Sequence, residues 1–360
     1  MVNVLYLLNY AGRGGSERYI QTLVEELGPE GINPFFVCNE PGPLLDWMQR
    51  RGIPCRRLAM SGPYDISAAR TLAKLCREWN VDAVHTHYLR ENCIAQLSKL
   101  FYPRPRVIYT YHILTENPLP VRISNRLLSP LQYRLIANCT AGRDRLAANG
   151  NPAGKISLIP NAVDLDMWES GDRVAVRREL GIDRGVFALL FAARITAGKG
   201  HRFLLDSLAL IKERNFRLIL AGEGELREDT EDYCRALGLQ DKVIFTGHRD
   251  DMPDLYAAAD VTVCPSESET LSFLLLESMA ASTPVIATRT GGMTDIVTDG
   301  HDCGLMVDYG DAAGMAAAVS KLMDDSELLR RFGEGARRSA EIDYDIHDAA
   351  RKVLALYKGE

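Results

Sequence analysis

The sequence predicts an α/β protein made of two doubly wound parallel-sheet domains that face each other across a central cleft. Three observations carry this. Short aliphatic and β-branched runs alternate with amphipathic stretches from one end to the other, the pattern of strands joined by crossover helices. The runs are apolar along most of their length, as strands covered on both faces must be. The series stops near Pro160 to Ser170 and starts again, and 360 residues are comfortable for two domains with a core each.

In order, the first series reads "VNVLYLLN", "NPFFVCN", "IPCRRLA", "VDAVHTH", "RVIYTYH", "YRLIANC" and "ISLIPN". Helical stretches such as "SERYIQTLVEELG" and "ISAARTLAKLCREWN" fall between these runs, with apolar residues recurring at three- and four-residue spacing. After "LIPNAVDLDMWES" the second series reads "GVFALLFAAR", "FRLILAG", "KVIFTG", "ADVTVCP", "TPVIATR" and "CGLMVD". Residues 1–165 are therefore expected to form the first domain and 166–342 the second. Residues 343–360, with "HDAARKVLALYKG", form a terminal helix that can pack back on the first. Open α/β sheets bind ligands at strand C-termini and helix N-termini, here expected along the cleft.

Composition narrows the function classes. Hydrophobic residues make up 46% and charged residues 25%, which excludes collagen-like, coiled-coil and disordered chains. The longest apolar runs fall short of the roughly 20 residues of a membrane span. The first ten residues lack a basic n-region and an A-x-A site, so the expected location is the cytoplasm. Eight scattered cysteines without a C-x-x-C pair read as reduced core residues. Residues 1–165 hold 19 Lys/Arg and 13 Asp/Glu, net +6, whereas the remainder is net −12. A basic first half suits an anionic acceptor or membrane surface, and the acidic second half argues against nucleic acid.

One helix-forming stretch contains an anomaly. In "PSESETLSFLLLESMAAS", Glu277 lies among apolar residues, where an unpaired carboxylate would cost several kcal/mol, so it must have donors. Glu269, eight residues earlier at or just before the helix start, would be offset by about 80° and ~12 Å. Between them, Thr270, Leu271, Ser272 and Phe273 would offer the backbone amides and positive dipole end of a helix N-terminus. Carboxylate, anion-binding amides and carboxylate form a row about as long as a nucleotide sugar. The plainer alternative is an N-terminal helix charge and a core ion pair. In "ARITAGKGHRFLLDSLALI", Arg194 and Lys199 sit in a turn between strand and helix, where two cations can clamp a diphosphate; a solvated loop is the alternative.

The first half offers histidines and glycines. His85 and His87 fall on one face of a strand end and His112 ends the next strand, so all three can look into the cleft. No metal site is expected, because no cysteine or carboxylate motif of ligand spacing accompanies them. His112 is the candidate contact to the reacting sugar or acceptor. The opening loop runs Gly12, Arg13, Gly14, Gly15, Ser16, Glu17, and glutamate stands where the dinucleotide fingerprint needs its third glycine. Glu40 imitates the ribose-binding acid of that fingerprint, so an NAD-dependent oxidoreductase stays open as an alternative, though it explains neither second-half constellation.

Taken together these pieces resemble the retaining nucleotide-sugar glycosyltransferases of the GT-B fold, family four or group one, whose domains are Rossmann-like. The resemblance spans essentially the whole chain: "GGSE", "HTH", "YTYH", "LIPNAVD", "AARITAGKG", "LAGEGELRE" and the run from "FTGHRDDMPDLYAAAD" through "PVIATRTGG". The Glu269–Glu277 pair followed by "PVIAT" and "GG" is its specific part. It implies that Arg194 and Lys199 bind the donor diphosphate, Glu269 contacts the transferred sugar and Glu277 holds the ribose. It further implies that Gly14 and Gly15 approach the donor from the first domain, with Gly247, His248 and Arg249 near the base. Ser272 and Ala162 stand where the family commonly has glycine, which implies an altered sugar fit.

The expected activity is transfer of a hexose from a UDP- or GDP-sugar to a glycan or lipid-linked acceptor hydroxyl, with retention, without metal or cofactor, and in polysaccharide or glycolipid synthesis. A catalytically silent nucleotide-sugar binder is the alternative of another class. Residues 97–137 carry Lys99, Arg104, Arg106, Arg122, Arg126 and Arg134 against Glu116, so peripheral contact with the inner face of an anionic membrane is also expected.

Overall fold

The computed structural model describes residues 1–298 and 300–360. The chain folds into two compact units, one of residues 1–161 with 346–360 and the other of residues 162–345. The crossings lie a few residues from 165 and 342. Val163 donates its N–H to the Tyr344 carbonyl at 3.0 Å and pairs with Asp345 in an isolated parallel bridge, so both segments belong to the second unit.

The first unit runs β1 (Val2–Tyr10), α1 (Gly15–Leu27), β2 (Ile32–Glu40), α2 (Pro43–Arg50), β3 (Cys55–Arg57), α3 (Ile66–Glu78), β4 (Ala83–Thr86), α4 (Leu89–Ser98), β5 (Arg106–Tyr111), α5 (Leu119–Leu128), β6 (Arg134–Ala137), α6 (Thr140–Ala148) and β7 (Ile156–Leu158). Its seven strands are parallel in the order β3-β2-β1-β4-β5-β6-β7. Leu5, Leu7, Val37, Val84 and Val107 pack one face of the sheet onto Leu72 of α3 and Ile94 of α4. Elements start where the sequence supplies caps: Asp65 accepts the Ala68 N–H at 2.9 Å, which holds its carboxyl down to about 2.

The second unit runs α7 (Arg173–Glu179), β8 (Phe187–Ala192), α8 (His201–Ala209), β9 (Phe216–Ala221), α9 (Arg227–Ala236), β10 (Val243–Gly247), α10 (Met252–Ala258), β11 (Val261–Cys264), α11 (Phe273–Ala280), β12 (Val285–Thr288), α12 (Met293–Ile296), β13 (Gly304–Val307), α13 (Ala312–Asp324) and α14 (Ser326–Asp343). The strand order is β10-β9-β8-β11-β12-β13, again parallel. Each sheet therefore reverses direction of winding once, between β1 and β4 and between β8 and β11, and ligands favour such switch points.

The terminal helix α15 (Ile346–Lys358) returns to the first unit and packs on α1 and β1. Val353, Leu354 and Tyr357 are buried there, and Tyr357 donates to Tyr6 Oη at 3.3 Å. The cysteines are free and all but Cys55 are buried. Among the described residues no helix is long and apolar enough to cross a membrane.

Candidate active site

In the second unit the switch point brings two loops together. The chain leaving β8 carries Arg194 to Lys199, and the chain leaving β11 carries Pro265 to Ser272. Gly200, at φ +84, lies so close to the second loop that a Cβ on it would stand 2.0 Å from the Pro265 carbonyl oxygen. The Glu267 N–H donates to the Gly198 carbonyl at 2.9 Å. Docked in this way, Lys199 Nζ reaches Glu269 Oε1 at 2.5 Å, and Ser266 Oγ donates to the same oxygen at 3.0 Å. Arg194 stays exposed and forms no ion pair among the described residues.

The glycines of "AGEG" explain how Arg194 is placed. A Cβ on Gly222 would meet the Ala193 oxygen at 2.0 Å, and one on Gly224 the Ile195 oxygen at 2.2 Å. Ile195 and Glu223 are joined through N–H to carbonyl at 2.9 Å. The first loop is pressed against the end of β9, which only glycine permits at both contacts.

Glu269 and Glu277 do not share a helix. Helix α11 starts at Phe273 with Ser272 as an extended cap, so Glu269 lies in the preceding loop and the helical offset of ~80° and ~12 Å does not apply. The loop is held off helical geometry by the Lys199 pair and by the Gly292 N–H on the Glu269 carbonyl at 3.4 Å. Thr270, Leu271, Ser272 and Phe273 form the entry to α11 as the spacing suggests. Glu277 is buried, and Tyr256 of α10 donates to its Oε2 at 2.7 Å. This donor was required by the burial argument, but its identity comes from a helix that sequence spacing does not connect to α11.

Gly247 ends β10 at φ +73 and accepts the Gly222 N–H at 2.8 Å. His248 is exposed and stands 3.2 Å from Asp250. Arg249 is drawn instead into ion pairs with Glu179 at 2.5 Å and Asp251 at 2.5 Å, which pin this turn to α7.

In the first unit Gly14 caps α1 and Gly15 is its first residue. Glu17 folds back over the loop: it accepts the Gly12 N–H at 3.2 Å and the Ser16 hydroxyl at 2.8 Å. A cavity of about 440 Å³ opens at the strand ends beside this loop, lined among others by Tyr10, Glu17, Tyr88, Arg90, Glu91 and His112. Of the three histidines only His112 lines it. His85 in β4 and His87 just after it lie inside the unit, because β4 is central and covered on both faces, which corrects the expectation that all three look into the cleft. His85 bonds Tyr357 Oη at 2.6 Å and Thr110 Oγ1 at 2.7 Å, and His87 Nδ1 meets His112 Nε2 at 3.0 Å. Burial pushes His85 and His112 down to about 3 and His87 well below its usual value. Glu91 is also buried and its carboxyl is pushed up by desolvation, with Oε1 on the Asn9 N–H at 2.5 Å.

Comparison with known proteins agrees with these features. Residues 172–339 match the glycosyl transferases group 1 family and residues 13–167 match glycosyltransferase family 4. The D-inositol 3-phosphate glycosyltransferase of Acidothermus cellulolyticus is 31% identical, covering 88% of this chain and 80% of its own. The N-acetyl-alpha-D-glucosaminyl L-malate synthase of Bacillus anthracis is 26% identical over 82% of this chain and 78% of its own. Among solved structures, HepE of Anabaena in complex with UDP superposes with a TM-score of 0.88 over 100% of both chains at 19% identity. A glycosyltransferase from Rickettsia africae gives 0.88 over 99% of this chain and 98% of its own at 21% identity. A lysine–glutamate pair at the switch point of the second sheet, a buried glutamate one helix further on and family matches over both units make one case: this chain belongs to the group 1, family 4 glycosyltransferases and has the GT-B fold.

Proposed function

We propose that the protein transfers a hexose, with retention at the anomeric carbon, from a nucleoside diphosphate sugar to a hydroxyl of an anionic acceptor. The observation that carries the donor assignment is the Lys199–Glu269 pair at the entry to α11. Lys199 and Arg194 would take the diphosphate, Glu269 the sugar hydroxyls and Glu277 the ribose. HepE was solved with UDP, with UDP and glucose and with UDP-glucose, which supports a donor of this class.

In the proposed front-face step the C1–O bond to the β-phosphate breaks and the acceptor oxygen bonds to C1 on the same face. The acceptor proton passes to the departing phosphate oxygen. Lys199 and Arg194 stabilise the charge that grows on that phosphate, and Glu269 orients the sugar. No metal takes part, so EDTA should leave the rate unchanged.

The acceptor is assigned to the 440 Å³ cavity of the first unit, where Arg90, His112 and the tyrosines can meet a polyol or phosphate. Two relatives, an N-acetyl-alpha-D-glucosaminyl L-malate synthase and a D-inositol 3-phosphate glycosyltransferase, support a small hydroxylated anion as the acceptor. A thermal-shift screen with UDP, GDP, ADP and dTDP sugars tests the donor, and NMR of the product's anomeric proton tests retention. A shift with NAD and none with any nucleotide sugar would overturn the reading; donor binding without transfer or hydrolysis on a panel of phosphorylated acceptors would leave a silent binding protein.

A further inference from the structure

We infer that the outward face of α5 is a docking surface for an anionic lipid bilayer. A helix on the surface of a soluble domain normally turns its apolar stripe inward. In α5 the arrangement is reversed. Leu119, Ile123 and Leu127, spaced four residues apart on one face, are 67%, 51% and 73% exposed. Asn125 is the one buried residue of the helix, and it anchors the inner side by donating to the Asn149 carbonyl at 2.9 Å. The Asn117 N–H meets Asn149 Oδ1 at 2.9 Å just ahead of the helix. Gly150, at φ +90, lets the backbone close onto the Arg122 carbonyl, where a Cβ would stand 2.3 Å away. The helix is thus held firmly, with its apolar side to solvent.

Charge selects the occupant. Arg122 and Arg126 are exposed beside the apolar row and form no ion pair among the described residues, and α5 contains no acid. Glu116, the acid that precedes it, is paired with Arg145 at 3.3 Å. The other cations of residues 97–137 are turned elsewhere. Lys99 bonds the Pro105 carbonyl, Arg104 bonds Asp82, Arg106 bonds the Tyr357 carbonyl and Arg134 bonds the Tyr133 carbonyl. The membrane contact expected of a broad basic stretch therefore narrows to one helix about 15 Å long. Lying in the interface plane, its leucines and isoleucine would enter the acyl boundary while the two arginines reach back to anionic headgroups.

The inference stands on this helix alone and does not depend on the donor or acceptor assigned above. The test is flotation of the full chain with phosphatidylcholine vesicles, with or without phosphatidylserine, at low and high salt. Binding is expected to anionic vesicles and to weaken as salt screens the arginines. The triple change Leu119→Gln, Ile123→Gln, Leu127→Gln should lower vesicle binding at least roughly tenfold, and Arg122→Gln with Arg126→Gln should do the same for anionic vesicles only. Ile123→Trp should show a blue-shifted emission on binding. All variants should keep the wild-type melting temperature and transfer to a water-soluble acceptor. Absence of wild-type binding at low salt, or full binding by the triple variant, overturns the inference. A wild-type dimer that the triple variant abolishes, without vesicle binding, assigns the face to a second copy of the chain and overturns it as well.

Discussion

Lys199 is held by a single carboxylate oxygen, and a ligand phosphate can compete for that ammonium. Its replacement by alanine should weaken nucleoside diphosphate binding by roughly 1.5–3 kcal/mol, the worth of a charge-assisted hydrogen bond, or roughly ten- to a hundredfold by isothermal titration. Unchanged affinity would remove Lys199 from the diphosphate site. The histidines make a second prediction at this scale. His85 and His87 are fully buried and kept neutral in the folded protein, whereas in the unfolded chain they take up protons below about 6.5. Because the unfolded state binds more protons, stability is intact above that value and is lost as the pH falls towards the folded values. Urea unfolding at pH 6 and pH 5 should differ by roughly 2 kcal/mol from these two rings. Ring NMR signals that titrate above pH 5 in the native protein would contradict this.

At the scale of elements, the loop that carries Arg194 depends on a neighbour's missing side chain. Gly224→Ala places a methyl 2.2 Å from the Ile195 carbonyl oxygen, so the loop must shift. Donor affinity should fall at least roughly tenfold, since Arg194 moves with the backbone, and calorimetry should show a lower melting temperature; an unaltered donor affinity would mean that the loop does not place a ligand group. Both sheets, the strand-to-helix turn that carries Arg194 and Lys199, and the place of Glu269 at or just before a helix start were legible in the sequence, because apolar strand runs and glycine-broken turns are local signals; the Lys199–Glu269 pair itself was not. What was not legible is tertiary. Tyr256 as partner of Glu277, the burial of His85 and His87 behind His112, and the capture of Arg249 by Glu179 each join elements distant along the chain. Helix α5 shows the same limit, since periodicity reveals a stripe but not which side of the helix is packed.

At the scale of the whole molecule, the first unit is completed by residues from beyond the second. Val353, Leu354 and Tyr357 are buried on it, each worth about 1.5–3 kcal/mol when fully removed from water. Truncation after Asp345 should therefore destabilise the first unit by several kcal/mol while leaving the second, residues 162–345, with its own transition. Two separated calorimetric transitions in the truncated chain, with that of the first unit below its place in the intact chain, would show this; an unshifted transition of the first unit would contradict it. The same return of the chain has a consequence for biogenesis. Chains emerge from the ribosome N-terminus first and domains tend to fold as they appear. Here the unit made first must wait, with the seat of Tyr357 beside Tyr6 and His85 uncovered, until all of the second unit has been synthesised. The earlier-born domain finishes later, so a ribosome stalled between residues 161 and 345 should hold a chain that chaperones bind through its first unit.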